Sequence, residues 1–250
     1  MTRSIVTNLF SRFWGLLAVV LLWDGLVRWY GFNVIVLPDP VAVVRAVFTD
    51  WRIYGYNTAI TLTVAVTGLL LGSLLGTVLA VMGWVSRVVS GMVAPAALVV
   101  RSVPFIILIP IFSRLLGYNL TMVVLVVTLL SFFPSFVLVS SGLSSLPPAA
   151  VDLGKVFGAT RWRALIHIAL PAAIPGLFAS IRLSASRAVL GAMVAEFLTG
   201  IDGLGKLFLL ARGDLESERA FAAALVAALA AILLVYFAER LEAAIQRRMT

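Results

Sequence analysis

The chain has 250 residues, 62% of them hydrophobic and only 12% charged, with a formal net charge of +8 and no cysteine. Soluble domains carry about 25% charged residues, so the composition excludes an ordinary water-soluble enzyme and points to a protein that crosses a membrane several times. Absence of cysteine excludes disulfides, thiolate nucleophiles and Cys-ligated metals, and the scattered arginines beside apolar segments fit membrane topology, not nucleic-acid binding.

Crossing a hydrocarbon core of about 30 Å takes about 20 helical residues. Six segments meet that length: residues 12–30, 58–83, 93–115, 119–141, 170–198 and 220–240. The expected fold class is therefore all-α integral membrane. The first segment follows Arg3 and Arg12 but is longer than a secretory apolar region and carries Asp24 and Arg28 near its far end, so it reads as a retained span. Residues 39–56, with Asp39, Arg45, Asp50, Trp51, Arg52 and Tyr54, read as an amphipathic helix lying at the outer interface. Residues 1–57 thus form an N-terminal unit, and 58–250 a core transmembrane unit with a polar loop at 144–169.

In the second span Gly68, Gly72 and Gly76 recur every four residues, which aligns them on one face and lets another backbone approach closely. Pro104 and Pro110 in the third span, Pro134 in the fourth and Pro175 in the fifth each release a backbone carbonyl that protein or water must satisfy. The fifth span carries a comparable run of small residues, Ser180, Ser184, Ala188 and Ala192, whose polar members suggest the lining of a path. Arg101, Arg182 and Arg187 lie inside proposed spans, where a charge costs at least about 2.5 kcal/mol and must face the bundle or a wet cavity. Arg182 and Arg187, with Ser186 beside them, are candidates to attract an anionic solute; structural neutralisation, with Glu196 and Asp24 as possible partners, is the alternative. Five residues on a helix turn through about 140°, so the two arginines do not both point squarely at one path.

Between the fourth and fifth spans, residues 152–171 form a polar, cationic island. Pro147 and Pro148 can open a helix capped by Ser144 or Ser145, and Gly158 interrupts it. Thr160 is then placed to cap a second short helix that ends near Pro171. On it Trp162, Leu165 and Ile166 share one apolar face, with Arg161, Arg163 and His167 around it.

Basic residues cluster before the first span, at Arg87 after the second, at Lys155, Arg161 and Arg163 after the fourth, and at Arg240, Arg247 and Arg248 after the sixth. The positive-inside rule makes those segments cytoplasmic, which puts both termini and the island on the cytoplasmic side. Asp214, Glu216 and Glu218 then fall in an outer loop, as a solvated cluster or a contact for another protein by charge complementarity.

Two chemical readings fail. Residues Gly200 to Leu207 match the phosphate loop G-x-x-x-x-G-K, but Leu207 stands where a Ser or Thr would hold magnesium, and the segment follows a membrane span instead of a buried strand. His167 is the sole histidine, which excludes His-rich metal sites, and its place in the island favours a contact role over acid–base work. A secondary carrier driven by an ion gradient predicts acidic residues at mid-membrane and an internal repeat; Asp24 and Glu196 lie near span ends, and no repeat is evident.

The island resembles the cytoplasmic "EAA" loop of ABC importer permeases, written E-A-A, three residues, G, nine residues, I, one residue, L-P. Gly158, Ile168, Leu170 and Pro171 fall on that frame without a gap, while Asp152, Leu153 and Gly154 stand where E-A-A would be, so the acid is kept and both alanines are replaced. Leu37 to Pro40, Arg101 to Pro104 with Pro110, Arg182, Glu196, and Gly203 to Gly205 resemble landmarks of the nitrate/sulfonate/taurine branch of these permeases. The resemblance implies a type I ABC importer transmembrane fold with about six transmembrane helices in a bacterial inner membrane. It also implies a loop that docks on an ATPase subunit through Asp152, Gly154, Gly158, Ala159, Thr160, Arg161, Trp162, Leu165, Ile168 and Pro171. The expected partners are a second copy of the chain in a homodimer, two ATP-binding subunits, an extracytoplasmic solute-binding protein and membrane lipid. No cofactor is expected on this chain, since ATP and Mg would belong to the partner subunits. The cargo implied is a small anion such as sulfonate, taurine or nitrate, with a vitamin or pyrimidine precursor as the alternative.

Overall fold

The computed structural model of the chain describes residues 2–146 and 160–249, and among these it is helical with no strand. The helices are α1 (Thr2–Tyr30), α2 (Pro40–Thr49), α3 (Trp51–Val85), α4 (Arg87–Ser102), α5 (Phe105–Leu116), α6 (Leu120–Ser144), α7 (Arg161–Ala164), α8 (Leu170–Thr199), α9 (Leu204–Gly213) and α10 (Ser217–Met249). Four stretches are long and apolar enough to cross a membrane: Trp51–Val85, Leu120–Ser144, Trp162–Thr199 and Ser217–Arg247.

Three local expectations change. The interfacial helix predicted over 39–56 ends at Thr49, because Asp50 breaks the run, and residues from Trp51 already belong to α3. Asp39 caps α2 by accepting from the Val41 N–H at 2.8 Å, and Pro40 takes the first turn, where its missing N–H costs nothing. The third crossing, expected as one helix over 93–115, is two: α4 stops at Ser102 and α5 starts at Phe105. Pro104 forces this break, since it can neither donate an N–H nor let the residue before it stay helical, and Val103 is extended (φ −80°, ψ 124°). Pro171, finally, does not end a helix. A π-helical turn over Leu165–Ala169, in which the Leu170 N–H reaches back to the Leu165 carbonyl, joins α7 to α8 and admits the proline near the start of the next stretch.

The bundle is built on α3, α6 and α8. Cβ atoms at Gly68 and Gly76 would fall 2.5 Å from Val127 Cβ and 2.6 Å from the Phe132 carbonyl oxygen, and one at Gly72 would strike the Thr128 carbonyl. The glycine stripe is therefore the contact through which α3 and α6 meet backbone to backbone, as its spacing suggested. The run Ser180, Ser184, Ala188, Ala192 behaves the same way and does not line a path: all four are fully buried. Ser180 Oγ shares a hydrogen bond of 2.9 Å with Ser135 Oγ, which donates at 3.2 Å to Ser73 Oγ, so hydroxyls bridge the three central helices. Small polar side chains satisfy each other inside a bundle as readily as they face water.

Apolar packing falls into three groups. Val64, Leu69, Met122, Val126 and Val189 fill one half of the bundle, and Phe132, Phe136, Val139, Leu143 and Leu165 the other. Val43, Tyr54, Leu204 and Ala223 join α2, α9 and α10 to the end of α3. Two tryptophans tie connections down: Trp23 Nε1 donates to the Pro38 carbonyl and Trp84 Nε1 to that of Leu143, both at 3.1 Å.

Candidate functional site

Three features along the α7–α8 rod combine unusual chemistry with position. The rod runs from Trp162 to Thr199, 38 residues, which at 1.5 Å each is about 57 Å against a hydrocarbon core of about 30 Å. One or both ends must therefore stand outside the core.

At the α7 end, Thr160 caps the helix as expected: its Oγ1 accepts from the Arg163 N–H at 3.4 Å and its carbonyl from the Ala164 N–H at 2.9 Å. His167 Nδ1 lies 3.1 Å from the Arg163 carbonyl, a contact that ties the ring to its own helix. The apolar residues divide between two faces. Trp162 and Ile166, one turn apart, are 63% and 54% exposed, whereas Leu165 is 2% exposed and packs with Ala169 against the α6 core. Helical spacing groups Leu165 with Trp162, but Leu165 anchors the knob from below. Ile168 is half-buried. Asp152, Gly154, Gly158 and Ala159, together with the helix expected to open at Pro147 and Pro148, lie outside the described residues, as does the side chain of Arg161.

Midway along α8, the break between α4 and α5 opens a cavity of about 530 Å³ against α6 and α8. Ser102, Pro104 and Phe105 form one wall, Phe133, Pro134 and Val137 another, and Leu183 with Arg187 the third. Arg187 is the one charged residue among the described lining. Arg182 does not reach this space: its Nε lies 2.9 Å from Glu242 Oε2 on α10. The neutralising acid is thus Glu242, neither Glu196 nor Asp24; Asp24 pairs with Arg28 at 2.9 Å. Ser186 is exposed, and the side chain of Arg101 lies outside the described set.

At the far end of α8 the segment that mimics a phosphate loop folds around a carboxylate instead. Glu196 is fully buried, and its Oε2 accepts from the Gly205 N–H at 3.0 Å and from Thr61 Oγ1 at 2.9 Å. Thr61 Oγ1 itself accepts from the Leu204 N–H at 2.9 Å, and Asn57 Oδ1 from the Gly203 N–H at 3.2 Å. Three of the free N–H groups at the start of α9, those of Gly203, Leu204 and Gly205, are thereby taken by residues of α3 and α8 and are not offered to a phosphate. Lys206 is held by Asp202 at 2.6 Å. Gly203, at φ 146°, lies where only glycine sits comfortably, and a Cβ there would strike the Glu196 carboxyl. No local pattern announced this cradle; the signal was a carboxylate seven residues before a Gly-x-Gly.

Residues 68–250 match the family of binding-protein-dependent transport system inner membrane components, a range that takes in α4 to α10 whole. The chain belongs to that family. It is a permease subunit of an ABC importer and a multi-pass inner membrane protein, not an enzyme. A "Probable ABC transporter permease protein" of Haemophilus influenzae is 29% identical over 208 residues, covering 83% of this permease and 85% of the relative. The riboflavin transport system permease protein RibX of Chloroflexus aurantiacus is 32% identical, over 60% of this chain and 56% of its own. The putative aliphatic sulfonates transport permease protein SsuC of Bacillus subtilis is 26% identical, over 83% and 76%. The permease also shares its fold with a chain of the MetNI methionine ABC transporter in an inward-facing conformation, at a TM-score of 0.57 and 23% identity, covering 85% of this chain and 98% of that one.

Proposed function

We propose that this permease forms the translocation path of an ATP-driven importer and takes its driving force from a separate ATPase chain bound at the Thr160–Ile168 knob. The observation that carries this reading is the exposed pair Trp162 and Ile166 on a turn that continues without interruption into α8. A rigid helix carries a displacement at one end to the other, so a partner that grips the pair moves the wall holding Arg187. Leu165, buried beneath, keeps the knob from swivelling independently of α6.

The same reading takes the permease as one of two copies, each binding one ATPase subunit that holds the ATP and Mg, with an extracytoplasmic binding protein delivering solute at the Glu196 end. Both termini and the 144–169 loop, including Asp152, Gly154, Gly158, Ala159 and Arg161, are then cytoplasmic, which the placement of basic residues supports. The cargo is a small anion, sulfonate, taurine or nitrate, in keeping with the likeness to SsuC; the likeness to RibX favours a vitamin as the competing cargo.

A photoreactive residue at Trp162 tests the docking. In membranes containing the whole transporter it should cross-link to the ATPase subunit, whereas the same residue at Tyr56, exposed near the other end of the bundle, should not. Cross-linking at neither position, or at Tyr56 alone, would remove the knob from the ATPase contact.

A further inference from the structure

We infer that Arg187 is the group by which the permease recognises the negative charge of its cargo, and that Arg182 is not. The inference rests on the transport reading above and assigns it a site and a ligand chemistry: a small anion with a sulfonate- or carboxylate-like head on a short body.

The two arginines of α8 have opposite surroundings. The Arg182 guanidinium is committed to Glu242 at 2.9 Å, an acid only 13% exposed, so this pair neutralises itself. Arg187 has no acidic partner and no hydrogen bond among the described residues, and no described residue lining its cavity is a carboxylate. It lies about 18 Å along the helix axis from Thr199, well inside a stretch apolar enough to span the membrane. An unpaired charge at that depth is retained where it faces water or meets a counter-charge, and intramembrane ionisable groups of this kind mark solute paths. With no counter-charge supplied by the described lining, one is left for a solute to bring.

Size and shape narrow the solute. The cavity, about 530 Å³, is at the small end of ligand sites and suits a compact molecule. Guanidinium presents a planar fork of donors that matches two oxygens of a sulfonate or carboxylate at once. Opposite it, Leu108, Phe133 and Val137 offer an apolar surface for a short carbon body. Because α4 and α5 meet α6 and α8 here, the cavity is walled by four separate helices, and a tilt of α8 driven from Trp162 alters its mouth.

The absence of cysteine makes a direct test available. Leu183 lines the same cavity one turn from Arg187, so Leu183→Cys places a single thiol beside it. In the intact transporter, that thiol is treated with sulfonatoethyl methanethiosulfonate, itself a small sulfonate, or with its trimethylammonium counterpart, and modification of this chain is read by mass spectrometry. The anionic reagent should be favoured by about tenfold with Arg187 present, and Arg187→Gln should bring the ratio towards one, while Arg182→Gln leaves it unchanged. In parallel, ATP-dependent uptake of taurine, butanesulfonate, nitrate and riboflavin is measured for the transporter with and without Arg187→Gln. Loss of at least tenfold in uptake of an anion, with Arg187→Lys retaining part of it, is the expected result. A reagent ratio indifferent to Arg187, anion uptake unaffected by Arg187→Gln, or uptake of riboflavin alone overturns the assignment. Failure of the unsubstituted transporter to couple any uptake to ATP would instead refute the transport reading, and the reagent ratio would still decide whether Arg187 governs charge in the cavity.

Discussion

Glu196, in the last turn of α8, receives the backbone N–H of Gly205 at 3.0 Å, so the start of α9 is capped by a carboxylate from the preceding helix and not by its own N-cap residue, Gly203. The carboxyl group sits at the N-terminal end of α9, with the Thr61 hydroxyl completing the seat. Replacement by Ala strands those donors in a buried site and should cost about 2–4 kcal/mol of folding stability. Glu196→Gln keeps one acceptor oxygen and should cost less than half as much. Thermal unfolding of the purified permease in detergent measures both, and equal losses would mean that the acceptor oxygen Gln retains contributes nothing, which would contradict the hydrogen-bonded seat.

Close approach makes a sharper prediction for α3. Gly72→Val drives a branched side chain into the Thr128 carbonyl and Ser131, and overpacking of this kind costs about 1–3 kcal/mol or more. Gly55→Ala on the same helix meets nothing within 4 Å and should be neutral or slightly stabilising through helix propensity. The comparison is read as the difference in melting temperature between the two variants.

Arg182 and Glu242 should behave as a pair. Arg182→Gln leaves a largely buried carboxylate without its partner, and because the arginine is 47% exposed the coupling is about 1 kcal/mol. Arg182→Gln with Glu242→Gln should recover most of the loss. A double-mutant cycle on unfolding stability checks this, and additive losses would deny the pair.

The two sides of the knob separate packing from docking. Leu165→Ala empties a buried site and should cost about 2–5 kcal/mol, with a matching fall in melting temperature. Trp162→Ala removes an exposed ring and should stay within about 0.5 kcal/mol of the parent, while co-purification of the ATPase subunit falls sharply.

What the sequence disclosed, and what it withheld, follows from the range of each interaction. The apolar helices, the Thr160 cap and the Gly68, Gly72, Gly76 stripe depend on neighbours within a turn or two, and spacing reports them directly. The division of Trp162 from Leu165 is not legible in the sequence because the helix face each occupies is decided by α6, which no periodicity within four residues can reveal. The Arg182 partner stands on another helix, far along the chain, and the residues buried around Glu196 come from α3 and α9. Pro171 differs from its expected role for another reason: a π-helical turn relieves the clash that normally ends a helix at proline. Within the phosphate-loop-like pattern at Gly200 to Leu207, Gly203 and Gly205 give room for the Glu196 side chain.

The central claim is that solute crosses through this permease at the expense of ATP on another chain, and reconstituted uptake tests it most directly. Proteoliposomes holding the permease, its ATPase partner and the binding protein should accumulate labelled solute only when ATP reaches the Trp162 side, and Trp162→Ala should abolish accumulation while the permease stays folded. Accumulation by the permease alone, driven by an ion gradient with no ATPase present, would contradict the account.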